Sequence, residues 1–198
     1  MKTYQSFEEL AANATDGIDY RIRERSGVSG IAVVAIHGGG IEPGTTEIAE
    51  AVAGGRHAFY TFSGIKPSGN ACLHITSRHF NEPRALGLVQ RAFTVVSIHG
   101  CGDAEPVVFV GGLFKRLEQR IEKSLEDAGF TVRRSVRFPG TSPRNICNRC
   151  RLCMGVQLEI SAGLRSRMFG NLARLQRKKP SVSLAHFVAA VQAALDQF

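Results

Sequence analysis

The chain has no tryptophan, and only 3 tyrosines and 3 methionines in 198 residues. With no stacking motif such as an RNA-binding strand signature either, this argues against a reader of single-stranded nucleic acid. No run of about 18 uninterrupted apolar residues occurs, so no membrane-spanning helix is expected. The opening segment, MKTYQSFEELAANATDG, lacks the apolar centre of a secretory leader, and a cytoplasmic location is the expectation. Cysteines number 5, an odd set, which excludes a fully paired disulfide framework in a chain of this size. No internal repeat, low-complexity tract or long linker divides the sequence, so residues 1–198 are expected to form a single domain.

The composition, 43% hydrophobic and 21% charged, is that of a folded domain. Lys and Arg total 25 against 17 Asp and Glu, a net charge of +8. Such an excess suits a polyanionic partner without choosing which. Short strands alternate with helical segments. IDYRIRER (Ile18 to Arg25) alternates with period two, and IAVVAI (Ile31 to Ile36), FTVVSI (Phe93 to Ile98) and VVFV (Val107 to Val110) are apolar runs suited to buried strands. HAFYTF, ACLHIT, Thr131 to Val136 and GVQLEI complete the expected strands.

Helices are predicted from Thr45 to the pair Gly54 and Gly55, from Pro83 to about Arg91, and over 113–127, where Leu113, Leu117, Ile121 and Leu125 recur every four residues. A closing helix carries Leu184, Phe187, Val188, Val191 and Leu195, with Ser181 or Ser183 as its cap. The alternation predicts an α/β fold, a mixed central sheet with helices on both faces. Sites in such sheets gather at the carboxyl ends of strands.

Two buried strands end alike. IAVVAI runs into His37 and then Gly38-Gly39-Gly40-Ile41-Glu42, and FTVVSI runs into His99 and then Gly100. Glycine after the histidine allows a sharp turn and a close backbone approach. Two imidazoles and a carboxylate form a usual set of protein ligands for catalytic zinc, leaving one position open. Zinc acidifies water and polarises a carbonyl, which amide hydrolysis needs. The competing reading is a pair of core histidines that are merely hydrogen-bonded. No H-E-x-x-H helix fixes the geometry, so spacing alone leaves both readings open.

Several segments carry a resemblance. HGGGIEPGT (His37 to Thr45), YTFSGIK (Tyr60 to Lys66), LHITSRHFNEP (Leu73 to Pro83), VSIHG (Val96 to Gly100), VGG (Val110 to Gly112), NICNR (Asn145 to Arg149) and GVQLEIS (Gly155 to Ser161) occur in this order. Together they resemble the poly-γ-glutamate hydrolase family of bacteria and their phages, itself similar to compact zinc carboxypeptidases. The resemblance implies a zinc-dependent hydrolase of γ-glutamyl amide bonds, expected to act within the polymer and release oligo-γ-glutamates. It implies His37, Glu42 and His99 as zinc ligands and Glu159 as general base on the zinc-bound water. Release at host lysis would bring a cytoplasmic enzyme to an extracellular polymer. The chain is expected to act as a monomer, with no nucleic-acid or membrane partner.

A polymer with one free carboxylate per unit calls for guanidinium groups. Arg78, Arg144, Arg149, Arg165 and Arg167 lie in or beside the matched segments; Arg149 and Arg165 are the preferred substrate residues, with His79 and Arg78 beside them. The basic run RLQRKK (Arg174 to Lys179) is expected to be a solvated loop. Cys147, Cys150 and Cys153 are spaced as in a metal site, although free cysteine also packs as a small hydrophobe. Two other functions compete: a zinc amidase on another acidic or γ-linked peptide, and a basic nucleic-acid-binding module with a metal at the cysteines.

Overall fold

The structure, a computed structural model, describes residues 4–174, 177 and 181–198. Residues 175, 176 and 178–180, which hold most of the RLQRKK run and the proline after it, lie outside the described residues. One seven-stranded sheet organises the chain, in the order β1 (Tyr20–Arg25), β3 (Ala58–Gly64), β2 (Ile31–Gly39), β4 (Thr94–Cys101), β7 (Val156–Ser161), β5 (Val108–Gly112) and β6 (Val132–Arg134). Strands β3, β2, β4 and β7 run parallel, β1 and β5 lie antiparallel to their inner neighbours, and β6 is parallel to β5. No described helix is long and apolar enough to cross a membrane.

Alternation along β2 explains why this strand is an unbroken apolar run. Ile31, Val33 and Ala35 enter one core; Ala32, Val34 and Ile36 enter the other. The first core is closed by α2 (Thr45–Ala53), α4 (Lys115–Asp127), α5 (Ala162–Phe169) and α6 (Val182–Asp196), through residues such as Ile48, Ile121, Leu164 and Phe187. The second is closed by α1 (Phe7–Ala11) and α3 (Pro83–Arg91), through Leu10, Ala85 and Val89, with an aromatic group of Tyr20, Tyr60, Phe62 and Phe80. Helices thus cover both faces of a mixed sheet, as the sequence pattern predicts.

Helix ends follow their local chemistry. Ser181 caps α6 by accepting from the Leu184 amide, and Glu82 caps α3 ahead of Pro83 by accepting from Arg84 and Ala85. Helix α5 has no obvious periodic signal, yet the Ser161 hydroxyl accepts from the Leu164 amide and starts it directly from β7. Three expectations differ from the structure. ACLHIT is a short 3-10 turn (Asn70–Leu73) followed by loop, because Asn70 bonds both the amide and the carbonyl of Lys66 and closes a turn. Leu113 precedes α4, which begins at Lys115. The strand expected over Thr131 to Val136 is paired only from Val132 to Arg134.

The connections place a topological switch between β2 and β4. From β2 the chain leaves through α2 to β3 on one side, then returns through α3 to β4 on the other. A crevice opens at the carboxyl ends of two parallel strands that diverge in this way. That crevice receives the residues following IAVVAI and FTVVSI.

Candidate metal centre and active-site cavity

Strand β2 slips register against β3 between Ala35 and Gly38, so one extra residue is accommodated there. Such a bulge bends the strand and re-aims a side chain, here His37. Gly38 is required by crowding: a Cβ would stand 2.0 Å from Thr46 Oγ1. Gly44 adopts φ +101 where the loop turns into α2. The glycines therefore serve close approach and a fixed turn. The turn closes when the Glu42 amide donates to the His37 carbonyl over 2.8 Å, bringing the carboxylate back over the strand end.

His37 and His99 both direct Nδ1 to one point, 3.2 Å apart. Glu42 Oε1 lies 2.9 Å from His37 Nδ1, and Oε2 lies 3.8 Å from His99 Nδ1. The three donor atoms all fall within 4.8 Å of one another. Opposite ring nitrogens are tied down. His37 Nε2 donates to the Ile75 carbonyl over 2.7 Å, which leaves a lone pair on Nδ1 of the neutral ring. His99 Nε2 meets the Ser97 hydroxyl at 2.7 Å. Glu42 Oε2 accepts from the Gly100 amide at 2.8 Å. A neutral imidazole pair, one carboxylate and anchored far nitrogens form a donor set suited to a divalent ion such as zinc.

Without an ion, the electrostatics favour an ionised Glu42 and a neutral His99, while Glu42 draws His37 toward its charged form. Burial opposes ionisation of Glu42, but His37 and His99 outweigh it and hold the carboxyl at about 2. Burial pushes His99 down to about 3, against the pull of Glu42. Burial also works against charge on His37, and the Glu42 carboxylate beside it overcomes this, so its pKa is raised.

A cavity of about 680 Å³ opens over this cluster, and Glu159 lines it. Glu159 on β7 is the register neighbour of His99 on β4. Burial, reinforced by the charge of Glu42, pushes its carboxyl up from the ordinary 4.5 to about 8. Gln157 Nε2 donates to Glu159 Oε1 at 3.0 Å, while Gln157 Oε1 accepts from Asn145 Nδ2 at 2.8 Å. All six residues of β7 are buried, so the polar side of this strand is a cavity wall rather than a solvated face.

Of the nominated substrate residues, Arg78 lines the cavity, whereas His79, Arg149 and Arg165 do not. Arg165 is 4% exposed. Its guanidinium donates to the carbonyls of Ile160, Pro43 and Cys101, tying α5 to the loop after β2 and to the end of β4. Arg149 reaches toward the Phe80 carbonyl, at 3.5 Å. Among the cavity residues that the sequence reading missed are His74 and Arg137. His74 stacks on His37 with ring centres 4.0 Å apart, and Arg137 stands in the loop after β6. His74 lay in the segment LHITSRHFNEP, but no periodicity marked it, and Arg137 lay in a Pro- and Gly-rich loop without a motif.

Cys147, Cys150 and Cys153 do not form a metal site. Among the described residues only His37, Glu42 and His99 bring three such ligands together. Cys147 is fully buried in the second core, the Cys150 thiol donates toward the Met154 carbonyl, and Cys153 is exposed. Cys150 is buried in the same core, and only Cys153 faces solvent.

The family model for poly-gamma-glutamate hydrolase matches residues 4–191. The chain belongs to the poly-gamma-glutamate hydrolase family. Among curated Bacillus subtilis (strain 168) proteins, it is 40% identical over 170 residues to the UPF0714 protein YndL, covering 84% of this chain and 67% of YndL. It is 37% identical over 169 residues to the SPbeta prophage-derived UPF0714 protein YoqZ, covering 84% of this chain and 61% of YoqZ. The chain thus spans about two thirds of these relatives' length. A solved bacteriophage poly-gamma-glutamate hydrolase superposes with a TM-score of 0.94 at 35% identity, covering 100% of this chain and 98% of that one. A zinc-free apo structure of YndL superposes at 0.93 and 34% identity, covering 99% and 98%. This member of the family therefore shares its relatives' fold from end to end of the described sheet.

Proposed function

We propose that this chain is a zinc-dependent hydrolase of γ-glutamyl amide bonds in poly-γ-glutamate. The observation that carries the reading is the convergence of His37 Nδ1, Glu42 and His99 Nδ1 within 4.8 Å beneath a cavity that Glu159 also lines. The family, and a neighbouring structure described as zinc-free, support the choice of substrate and metal. His37, Glu42 and His99 would hold the ion, which when bound supplies a Lewis acid and an acidified water.

The chain's own residues supply the rest. Glu159 takes a proton from the attacking water and returns it to the leaving amide nitrogen. Without an ion, burial and the Glu42 charge raise its carboxyl to about 8; a divalent cation held by the three ligands beside it would favour the carboxylate form that accepts the proton. Gln157 holds the carboxyl in place by donating to its Oε1. The buried Arg165 holds the Glu42 loop and the end of β4 against α5, so its substitution is expected to disturb the ligands rather than the substrate. Cutting within the chain, and a carboxypeptidase-like order of events, are parts of the same proposal.

The test follows polymer length by size-exclusion chromatography, with and without a zinc chelator. Chelator-sensitive shortening with release of one amine per cut supports the reading. Intact polymer in the presence of zinc-loaded protein overturns it.

A further inference from the structure

Arg137 differs from the other arginines near the site in how its donors are used. Arg165 directs its Nε, Nη1 and Nη2 to main-chain carbonyls, and Arg133 gives both Nη groups to Glu105. Arg137 instead meets both Asp103 oxygens through Nη2 alone, at 2.8 and 2.9 Å. Its Nη1 and Nε donate to nothing among the described residues. The guanidinium lies over the Phe138 ring, 4.9 Å from the centroid, and 5.8 Å from that of Phe109. Asp103 from the loop after β4 and two aromatic rings thus fix its plane before any ligand arrives. A fork with an orientation already set loses little entropy when it takes a carboxylate. Arg137 lines the same cavity as His37, His99 and Glu159, and its charge acts on Glu159. Arg78, the other cavity arginine, is exposed and has no such seat among the described residues.

We propose that Arg137, held by Asp103 and Phe138, receives the free α-carboxylate of the glutamyl unit next to the bond being cut. The inference rests on reading the cavity as a γ-glutamyl hydrolase site. It deepens that reading by giving the chain a means of choosing linkage. In a γ-linked chain the free carboxylate sits on the carbon that bears the nitrogen. In an α-linked chain it sits at the end of a flexible side chain. A fixed fork at one position favours the first arrangement.

The experiment compares two oligomers with the same γ-linked backbone, one with free α-carboxylates and one with α-carboxamides. Zinc-loaded parent protein should cut the carboxylate oligomer at least about tenfold more efficiently, as expected for a charge-assisted contact at a partly exposed site. Arg137→Gln should abolish that preference, mainly by raising KM for the carboxylate oligomer, and Arg137→Lys should restore only part of it. Arg137 is 57% exposed, so these variants should melt with the parent. Binding of the uncut carboxylate oligomer to Glu159→Gln protein should weaken by a similar factor when Arg137→Gln is added. Retained preference in Arg137→Gln, or equal loss on both oligomers, overturns the inference while leaving the hydrolase reading intact. Failure of the parent to cut either oligomer would remove both.

Discussion

Replacing Glu159 with glutamine should stabilise the metal-free chain while abolishing turnover. Glu159 is 8% exposed, and burial together with the Glu42 charge raises its carboxyl from 4.5 to about 8. Between those two pH values the folded chain holds a proton that the unfolded chain has released. A raised carboxyl therefore costs nothing below pH 4.5, and the cost grows until pH 8. At pH 7 the gap corresponds to about 3 kcal/mol, a ceiling because water in the cavity screens the charge. Glutamine keeps the shape and the Oε1 acceptor for Gln157, and it never ionises. For a chain of this size the melting temperature should rise by up to about 10 °C at pH 7. The difference from the parent should vanish near pH 4. The assay is thermal unfolding in chelator across this pH range, paired with zinc content and polymer cleavage after reloading. Equal melting temperatures of parent and variant at pH 7, or full turnover by the variant, would refute the reasoning.

Arg165→Met should lower stability by about 3 kcal/mol, since three buried carbonyls lose a charged donor. It should also weaken zinc binding in a competition titration; a change confined to KM would instead make Arg165 a substrate residue. Ile121→Ala, at a fully buried position of α4, should cost about 2–5 kcal/mol in denaturant unfolding. Cleavage at low temperature should remain, because Ile121 packs in the first core away from the cavity lining. Cys150→Ser should leave zinc content unchanged by elemental analysis; loss of metal would reinstate the cysteine cluster.

The sheet and the three residues of the candidate metal centre were legible because the signals are local. An apolar run, a histidine and a glycine are adjacent both at His37 and at His99, and buried parallel strands impose this pattern. Glu159 could be placed on the polar side of its strand, but alternation cannot distinguish a cavity from solvent. Burial of all six β7 residues follows from the position of that strand between β4 and β5. ACLHIT looked like a strand because alternation ignores the Asn70 side chain, whose bonds to Lys66 fold the backbone into a turn. The loop that follows supplies the Ile75 carbonyl to His37. Arginines were the least legible, since closeness to a motif says nothing of where a long side chain ends. Arg165 turns inward to carbonyls, and Arg137, far from any ligand in sequence, reaches the cavity from the loop after β6.

The most direct test strips the protein of metal, adds zinc in steps, and follows cleavage of poly-γ-glutamate. Activity should rise linearly to a plateau at about one equivalent, the stoichiometry of a single three-ligand site. His99→Ala should stay inactive at that ratio. Full cleavage by the metal-free protein, or intact polymer at saturating zinc, would contradict the account.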